Sequence, residues 1–322
     1  MSPPDSTAVR RRVATAEDIT ALNRVFAKAF TERYHRDGLI GVRVPELNAE
    51  VWRYALRDAG DGAMLWFDRD DQLLAFNMAH RSGAEGWMGP LAVRPDRQEQ
   101  GIGRTIVQSA VDWLVAQGAT TVGLETMPRT VDNIGFYSRL GFAPQHLTVT
   151  VTGDTAGGKL EDEAIRVGDL APADRAATIG RCRERLQQSV PGYDYSREME
   201  LTAEIGLGDT VVVTGPHGIA GFAVFHSAAL PAGRPAEELR VLKLFSDSTS
   251  SFLRVITALE ACAHAGRLRR VAIRCQTGYG AAYASLVERG YRVRWTDLRM
   301  TLRGRSEGAV PRGEILFSNW EI

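Results

Sequence analysis

Two glycines stand where a helix is expected to begin, in the segment VRPDRQEQGIGRTIVQSAVDWL, residues 93–114. Gly101 and Gly103 precede an amphipathic stretch, although serine or aspartate would cap a helix better. A helix N-terminus carries unpaired N–H groups and the positive end of the helix dipole, and glycines let the backbone approach a ligand with no side chain between them. The pattern therefore predicts an anion site built from main chain and suited to a pyrophosphate.

Two well-known phosphate loops do not fit this segment. No Gly-Lys-Ser/Thr follows, as a P-loop requires, and the third glycine and distal acid of a Rossmann turn are missing. A second motif, FYSRLGF at residues 136–142, lies one predicted helix and one predicted strand further on. The alternative, an ordinary loop-to-helix turn with no ligand, does not account for this second motif.

The elements that position these motifs are predicted from apolar periodicity. A short strand from Val9, a helix after Thr15 and a second helix at 45–60 are followed by a hairpin over 63–82. Further strands are predicted at 86–93, 120–126 and 145–152, with helices at 103–117 and 130–140. This half is therefore mixed α/β, with helices on both faces of its sheet.

The same plan is predicted twice. A shift of 148 residues places Val241 on Val93, and a shift of 149 places Gly290 on Gly141. A nearly constant shift predicts internal duplication; two unrelated α/β domains with coincident turn glycines are the alternative. The predicted domains are residues 1–152, a linker at 153–163, a second domain at 164–303 and a C-terminal extension at 304–322.

Composition excludes several classes of protein. The 322 residues carry 39 Lys+Arg and 39 Asp+Glu, so zero net charge argues against nucleic-acid and anionic-membrane partners. No run of about 18 apolar residues and no signal-peptide pattern occurs. Cys182, Cys262 and Cys275 match no zinc spacing, so we expect no metal site. We expect a soluble, cytoplasmic protein, either a monomer or a homodimer.

The two motifs together resemble a known family. Residues 98–103, Gln-Glu-Gln-Gly-Ile-Gly, are similar to the Gln/Arg-x-x-Gly-x-Gly/Ala loop of the GNAT superfamily of N-acetyltransferases. FYSRLGF resembles that family's Tyr-x-x-x-Gly-Phe segment, and the resemblance extends to about residue 152. It implies an α/β (α+β mixed-sheet) fold of two tandem GNAT-like acyl-CoA N-acyltransferase units, each with a splayed central strand.

The resemblance also implies acetyl-CoA as the cosubstrate. Main-chain groups of Leu91 and Val93 would bind the pantetheine arm, and amides of residues 99–104 would bind the pyrophosphate. Thr130 stands where the family often has Asn, and we interpret it as a helix N-cap. The implied cofactor contacts are Leu91, Ala92, Val93, Gln98, Glu99, Gln100, Gly101, Ile102, Gly103, Arg104, Thr130 and Tyr137.

Acyl transfer to an amine needs a proton donor and a base. Tyr137 occupies the family's general-acid position, and a phenol is protonated at neutral pH; a core tyrosine is the alternative. Glu125, on the predicted strand after the signature helix, and Glu85, before the cofactor strand, are the candidate bases, unless each is a surface carboxylate. His35 and His80 are weaker candidates for the same task.

The second copy has lost the features of a cofactor site. The 148-residue shift places Ser246, Thr249 and Ser251 on Gln98, Gly101 and Gly103. The loop SDSTSSF is expected to keep its length without either glycine, and Leu286 replaces Tyr137 under the 149-residue shift. We therefore expect a degenerate second domain and one active site, in the first half.

The predicted activity is transfer of an acetyl group from acetyl-CoA to a primary amine of a small molecule, by direct attack in a ternary complex. The alternative is a non-catalytic acyl-CoA sensor or interaction module. Tyr34, His35, Trp52 and Tyr54 are predicted either to contact the acceptor or to pack between helices. The apolar tail GEILFSNWEI, residues 313–322, predicts a short strand that returns to a sheet or domain seam and is ordered to its end. A resemblance to multi-domain GNAT enzymes that use a C-terminal carboxylate as base implies that its free carboxylate lies near the active site; an ordered terminus with only a structural role is the alternative.

Overall fold

The computed structural model describes residues 9–155, 158–160 and 163–321. In the first half, its helices and strands are β1 (Arg10–Val13), α1 (Ile19–Arg36), α2 (Ala49–Ala59), β2 (Ala63–Phe67), β3 (Leu73–Ser82), β4 (Glu85–Val93), α3 (Ile102–Ala116), β5 (Thr121–Thr126), α4 (Val131–Arg139) and β6 (Phe142–Asp154).

The second half repeats this order of elements. They are β7 (Ala164–Arg166), α5 (Pro172–Ser189), α6 (Ser196–Ile205), β8 (Gly208–Gly215), β9 (Gly218–His226), β10 (Glu238–Ser246), α7 (Thr249–Ala265), β11 (Arg270–Gln276), α8 (Gly280–Glu288) and β12 (Arg292–Leu302), followed by β13 (Ile315–Ser318). Short 3-10 turns occur at Ala16–Asp18, Gly60–Gly62, Pro95–Arg97 and Val167–Asp169.

The two halves exchange their last long strands. Within the described residues, thirteen strands form one sheet, in the order β1-β2-β3-β4-β5-β12-β6-β11-β10-β9-β8-β7, with β13 beside β10. β12 of the second half therefore pairs with β5 of the first, and β6 pairs with β11. The predicted mixed α/β architecture is confirmed. The domain boundaries stay a prediction, and the linker 153–163 lies partly outside the described residues.

Alternation along β3 separates the two faces of the sheet. Phe76 and Met78 join a buried cluster that includes side chains from α1 and α2. Asn77, between them, points the other way and donates to the main-chain oxygen of Ile106 on α3 at 3.2 Å. The first cluster also contains Leu186 of α5, so helices from both halves share one core.

The tail returns to the sheet, as its composition predicts. β13 pairs antiparallel with β10, from Lys243 with Ser318 to Ser246 with Ile315. Trp320 is only 1% exposed, and a Cβ built on Gly123 of β5 would lie 2.1 Å from its ring. The tail is thus packed between the halves through Trp320, whereas Ile322, its expected end, lies outside the described residues.

One expectation about the second half is wrong. Eight residues, 94–101, separate β4 from α3, but only residues 247 and 248 separate β10 from α7. The second loop is therefore shorter, because β10 continues to Ser246, and it does not keep its length as the 148-residue shift predicts. Separately, no helix in the described part of the chain is both long and apolar enough to span a bilayer.

Candidate active site

The central strands of the first half diverge and leave a slot. Within the described residues, β4 and β5 pair in parallel at three positions, from Glu85 with Thr121 to Trp87 with Gly123. β4 keeps its pairing with β3 as far as Val93. The strands diverge where the resemblance to the GNAT superfamily implies a splay. The residues Leu91, Ala92 and Val93 line an adjoining cavity of about 770 Å³, which we call the loop cavity.

The loop at residues 94–101 leaves its amides unpaired. Among the described residues, the N–H groups of residues 99–103 donate no hydrogen bond. Glu99 and Gly101 adopt left-handed conformations, with φ of +65° and +82°. The side-chain amide of Gln98 donates to the main-chain oxygen of Val93 at 3.1 Å and ties the loop to β4. Several open donors therefore cluster at the positive end of α3, as an anion site requires.

The two glycines serve different purposes. A Cβ on Gly101 would meet nothing within 4 Å, so its left-handed backbone is what favours glycine. A Cβ on Gly103 would lie 3.3 Å from Cζ of Phe136, so this glycine allows a close approach between α3 and α4. Of the predicted contacts in this region, Gln98, Glu99, Gly101, Gly103 and Arg104 line the loop cavity, whereas Gln100 and Ile102 do not.

Four arginines line the loop cavity, of which Arg33 is paired with Asp37 and Arg36 lies 3.4 Å from Glu32. Arg104 and Arg139 line the cavity, and neither has an ion-pair partner in the part of the chain that the structure describes. Arg94 is held by Asp96 through bonds of 2.8 and 3.0 Å, and Arg97 lies 3.8 Å from the same carboxylate. Arg104 and Arg139 are therefore the side chains available to an anionic ligand.

Tyr137 stands where two cavities meet. It lines the loop cavity and a second cavity of about 350 Å³, which we call the seam cavity. Its ring packs against Phe136 and Phe142, with centroids 5.1 and 6.1 Å away. Burial raises the pKa of the Tyr137 phenol, so it stays protonated at neutral pH. Its hydroxyl donates to none of the described residues and is open to a ligand.

The seam cavity is assembled from both halves of the chain. Phe30, Arg33, Leu91, Asn133 and Tyr137 line both cavities. The second half contributes Leu230, Pro231, Trp295, Asp297, Trp320 and Glu321 to the seam cavity. A molecule in this cavity would therefore contact Tyr137 on one side and the second half and tail on the other.

Glu125 reaches the seam cavity as a firmly paired carboxylate. Arg274 donates to it at 2.7 Å and Arg299 at 2.8 Å, and the hydroxyl of Thr148 is a third donor. Although burial alone would raise it, Arg274 and Arg299 lower the pKa of Glu125 to about 2. A carboxylate so stabilised in its charged form has little tendency to accept a proton.

The structure does not bring Glu85 to either cavity. Its side chain is fully buried, 3.4 Å from Lys243 and 3.7 Å from Arg299, and it accepts from the indole of Trp320 at 2.8 Å. Burial alone would raise the pKa of Glu85, but Lys243 and Arg299 lower it. Its position is that of a structural ion-pair partner, which does not support the predicted role as base. His80 is also fully buried and lines neither cavity.

Two neighbouring polar residues at the start of α4 have different positions. Thr130 stands at the N-cap position, but its hydroxyl donates to Asp37 and does not cap the helix. Thr130 is fully buried and lines neither cavity, so its position does not support a cofactor contact. Asn133, to which the sequence assigns no role, lines both cavities.

Only one of the four aromatic acceptor candidates reaches the seam cavity. Tyr34 lines it, with its ring edge-on to Trp295 at 6.1 Å. Trp52 and Tyr54 are core residues, at 0% and 5% exposure. His35 lies outside both cavities, with Nε2 3.0 Å from the main-chain oxygen of Val42.

Sequence reasoning did not find the carboxylates that the second half supplies. Asp297 on β12 and Glu321 in the tail both line the seam cavity, and both lie within 3.0 Å of Arg274. Half of the Glu321 side-chain surface is open. Loss of solvent over its buried half, together with the charges of Asp297 and Glu125, raises the pKa of Glu321 to about 7. The apolar tail was the signal that could have located it.

Comparisons with known proteins agree with this geometry. Residues 24–142 match the acetyltransferase (GNAT) family. The chain is 32% identical over 133 residues to serotonin N-acetyltransferase 2, chloroplastic, of Oryza sativa subsp. japonica, a match that spans 41% of this chain and 60% of that relative. Residues 24–142 are therefore similar to GNAT acetyltransferases, and the chain spans less than two thirds of the length of this relative.

Two solved structures share the complete fold. A candidate acetyltransferase from Pyrococcus horikoshii superposes with a TM-score of 0.66 at 15% identity, over 99% of this chain and 98% of that one. A tandem GNAT protein from the clavulanic acid biosynthesis pathway gives 0.60 at 13% identity, over 91% and 98%. At these identities the likeness concerns the fold alone.

Proposed function

We propose that the chain is an N-acetyltransferase that moves an acetyl group from acetyl-CoA to the primary amine of a small molecule, with one active site in its first half. The observation that carries this proposal is the meeting of two cavities at Tyr137, one with open amides and the other with carboxylates. The rice relative, named as a serotonin N-acetyltransferase, favours the same reaction.

The residues around the loop cavity fit acetyl-CoA. The open amides of residues 99–103 would hold the pyrophosphate, and Arg104 and Arg139 would add positive charge. The main chain of Leu91 and Val93, on the side of β4 that has left β5, would bind the pantetheine arm. When bound, acetyl-CoA supplies the thioester that the acceptor amine attacks.

Tyr137 is the proton donor in this proposal. As the C–N bond forms and the C–S bond breaks, its phenol gives a proton to the departing sulfur and later regains one from solvent. Its raised pKa keeps that proton in place until it is needed. This role depends on the position of Tyr137, which lines both the loop cavity and the seam cavity.

Glu321 is a better base than either carboxylate predicted from the sequence. An acceptor ammonium must lose a proton before it attacks, and the Glu321 carboxylate would take it. Glu125 is held by two arginines with a pKa of about 2, and Glu85 lines neither cavity. Glu321 is half open and has a pKa of about 7, close to the value that a base needs at neutral pH.

A non-catalytic acyl-CoA sensor is the second candidate. A cofactor cavity closed to any acceptor would favour it, whereas here the loop cavity adjoins a second cavity at Tyr137. Calorimetry with acetyl-CoA, followed by a free-thiol release assay against a panel of amines, separates the two. Binding with thiol release supports the enzyme, and tight binding without release for every amine supports the sensor.

We also infer that the two halves arose by duplication, because the same ten elements occur in the same order in each. The second half then serves to complete the seam cavity. Cytoplasmic location and a monomeric or homodimeric state stay predictions.

A further inference from the structure

The walls of the seam cavity are mainly aromatic and aliphatic. They include Phe26, Phe30, Tyr34, Met88, Trp295 and Trp320. Tyr34 and Trp295 meet edge to face, an arrangement that leaves ring surface for a third apolar group. Such walls bind an apolar body more strongly than a hydroxyl-rich one, because hydroxyl groups would lose hydrogen bonds to water there.

One end of the cavity is acidic. Arg274 is the shared partner of three carboxylates: Glu125 at 2.7 Å, Asp297 at 3.0 Å and Glu321 at 2.9 Å. Arg299 is the second partner of Glu125, but it also binds Glu307 at 2.9 Å. Glu125, Asp297 and Glu321 line the cavity, whereas Arg33 is the arginine among its lining residues and is paired with Asp37. Carboxylates therefore outnumber guanidinium groups in the lining, which favours a cation as ligand.

Asp297 has an acceptor atom without a donor. Its side chain is 3% exposed, and the indole of Trp295 donates to Oδ1 at 3.2 Å. Oδ2 accepts no hydrogen bond from any described residue, because the nearby nitrogen of Arg274 donates to Glu125 instead. Oδ2 lies 3.0 Å from Arg274 as an ion pair, but a buried carboxylate oxygen that accepts no hydrogen bond is still unfavourable unless a ligand donates to it. An ammonium group in the cavity would do so.

We propose that the acceptor is a cationic primary amine with an aromatic body, bound with its ammonium on Asp297 and its ring against Tyr34, Trp295 and Trp320. This inference rests on the proposed function, because it names the substrate class of the same site. Asp297 is then a binding residue that sets specificity, and the adjacent Glu321 takes the proton. Amino acids are disfavoured, because their own carboxylate would meet the acidic end.

Tryptophan fluorescence tests binding without requiring turnover, since Trp295 and Trp320 line the cavity. The probes are 2-phenylethylamine, its neutral analogue 2-phenylethanol, phenylalanine and glucosamine. We expect 2-phenylethylamine to bind at least about tenfold more tightly than any of the other three, the effect of one charge-assisted hydrogen bond. Equal binding of 2-phenylethanol, or tighter binding of glucosamine, would overturn the proposal.

Asp297→Asn gives the second measurement. It should weaken binding of 2-phenylethylamine by about tenfold and leave 2-phenylethanol and acetyl-CoA unchanged. Asp169→Asn, at an exposed aspartate of the second half, is the control and should change neither. Equal affinity of wild type and Asp297→Asn for 2-phenylethylamine contradicts the role of Asp297. If circular dichroism shows that Asp297→Asn is unfolded, the ligand series on the wild type decides.

Thiol release distinguishes the two proposals. Tight binding of 2-phenylethylamine without thiol release in the presence of acetyl-CoA would reject the acetyltransferase and retain the ligand class. Thiol release with glucosamine but not with 2-phenylethylamine would retain the acetyltransferase and reject the ligand class.

Discussion

Each half contains a pair of parallel strands that diverge, and the two halves use the resulting gap in opposite ways. β4 and β5 pair from Glu85 to Trp87 and then separate, and β10 and β11 pair from Glu238 to Arg240 and then separate. In the first half the opened side of β4 lines the loop cavity. In the second half β13 of the chain's own tail pairs with β10. One divergence thus opens onto a cavity, and the other is filled by protein.

The pairing registers of β4 with β5 and of β10 with β11 allow the two divergences to be compared residue by residue. Counted from Glu85 and Glu238, Leu91 corresponds to Leu244 and Val93 to Ser246. β13 pairs with β10 at those positions, with Phe317 opposite Leu244 and Ile315 opposite Ser246. The proposed pantetheine contacts are therefore made on a backbone edge that, in the second half, binds a strand.

The loops before α3 and α7 also differ, since the first leaves amides open and the second does not. Gly101 at the N-cap of α3 leaves amides open, whereas Ser248 at the N-cap of α7 accepts from the amide of Ser251 at 3.1 Å. The second helix thus satisfies a donor within the protein. In the proposed coenzyme site, the divergent strand pair is thus combined with a loop that leaves donors free and with an edge that the tail does not occupy.

The largest expected effect concerns the filled divergence. Phe317 is 2% exposed and packs on Phe252 and Tyr279, so Phe317→Ala should lower the free energy of unfolding by about 3–5 kcal/mol. Leu91→Ala, the matched change in the open divergence, should cost no more than about 1 kcal/mol. Urea denaturation measures both. Equal losses in the two variants would mean that the halves do not differ in this way.

The next effect concerns the open amides. Gly101→Asp forces a side chain into a left-handed backbone and adds a negative charge beside the proposed pyrophosphate site, so acetyl-CoA should bind roughly 100-fold more weakly. Ser248→Asp places the same residue at the N-cap of α7, where it should leave acetyl-CoA affinity unchanged. Calorimetry and circular dichroism on both variants provide the test. Wild-type affinity in Gly101→Asp would remove the loop from the cofactor site.

Tyr137→Phe should separate binding from catalysis. Removal of the proton donor should lower turnover by roughly 100-fold and leave acetyl-CoA affinity unchanged. Tyr283→Phe, on the corresponding helix of the second half, is the control and should keep full turnover. Thiol release under saturating acetyl-CoA measures the effect. Full activity in Tyr137→Phe would mean that solvent or another group protonates the leaving sulfur.

Features encoded in short segments could be predicted from the sequence. The glycine pair, Tyr137 and the order of elements lie in contiguous motifs, and the apolar tail indicated a packed strand. The position of Gln98 beside β4 follows from the same motif. Local periodicity and turn chemistry are enough for such features, because the residues concerned are neighbours in the chain.

Features that depend on distant pairing could not be predicted. Glu85 looked like a candidate base, but its partners Lys243 and Arg299 come from the other half. Strand exchange likewise brings Asp297 to the seam cavity, because β12 lies beside β5. A register between strands so far apart in the chain has no local signal.

The tail connects the filled divergence to the proposed active site, and its Glu321 gives the smallest expected effect. Loss of solvent and nearby carboxylates raise the pKa of Glu321 to about 7, while Arg274 opposes that rise. The charged or titratable groups that act on it are Tyr34, Glu125, Arg240, Arg274 and Asp297.

A base works in its deprotonated form, so kcat at saturating amine should rise with pH and level off above about pH 7. The ratio of kcat at pH 8 to kcat at pH 6 should be about tenfold in the wild type and close to one in Glu321→Gln. Glu237→Gln, at an exposed second-half carboxylate outside the seam cavity, should keep the tenfold ratio. If Glu321→Gln also keeps it, another group takes the proton, and the tail then only closes the seam cavity.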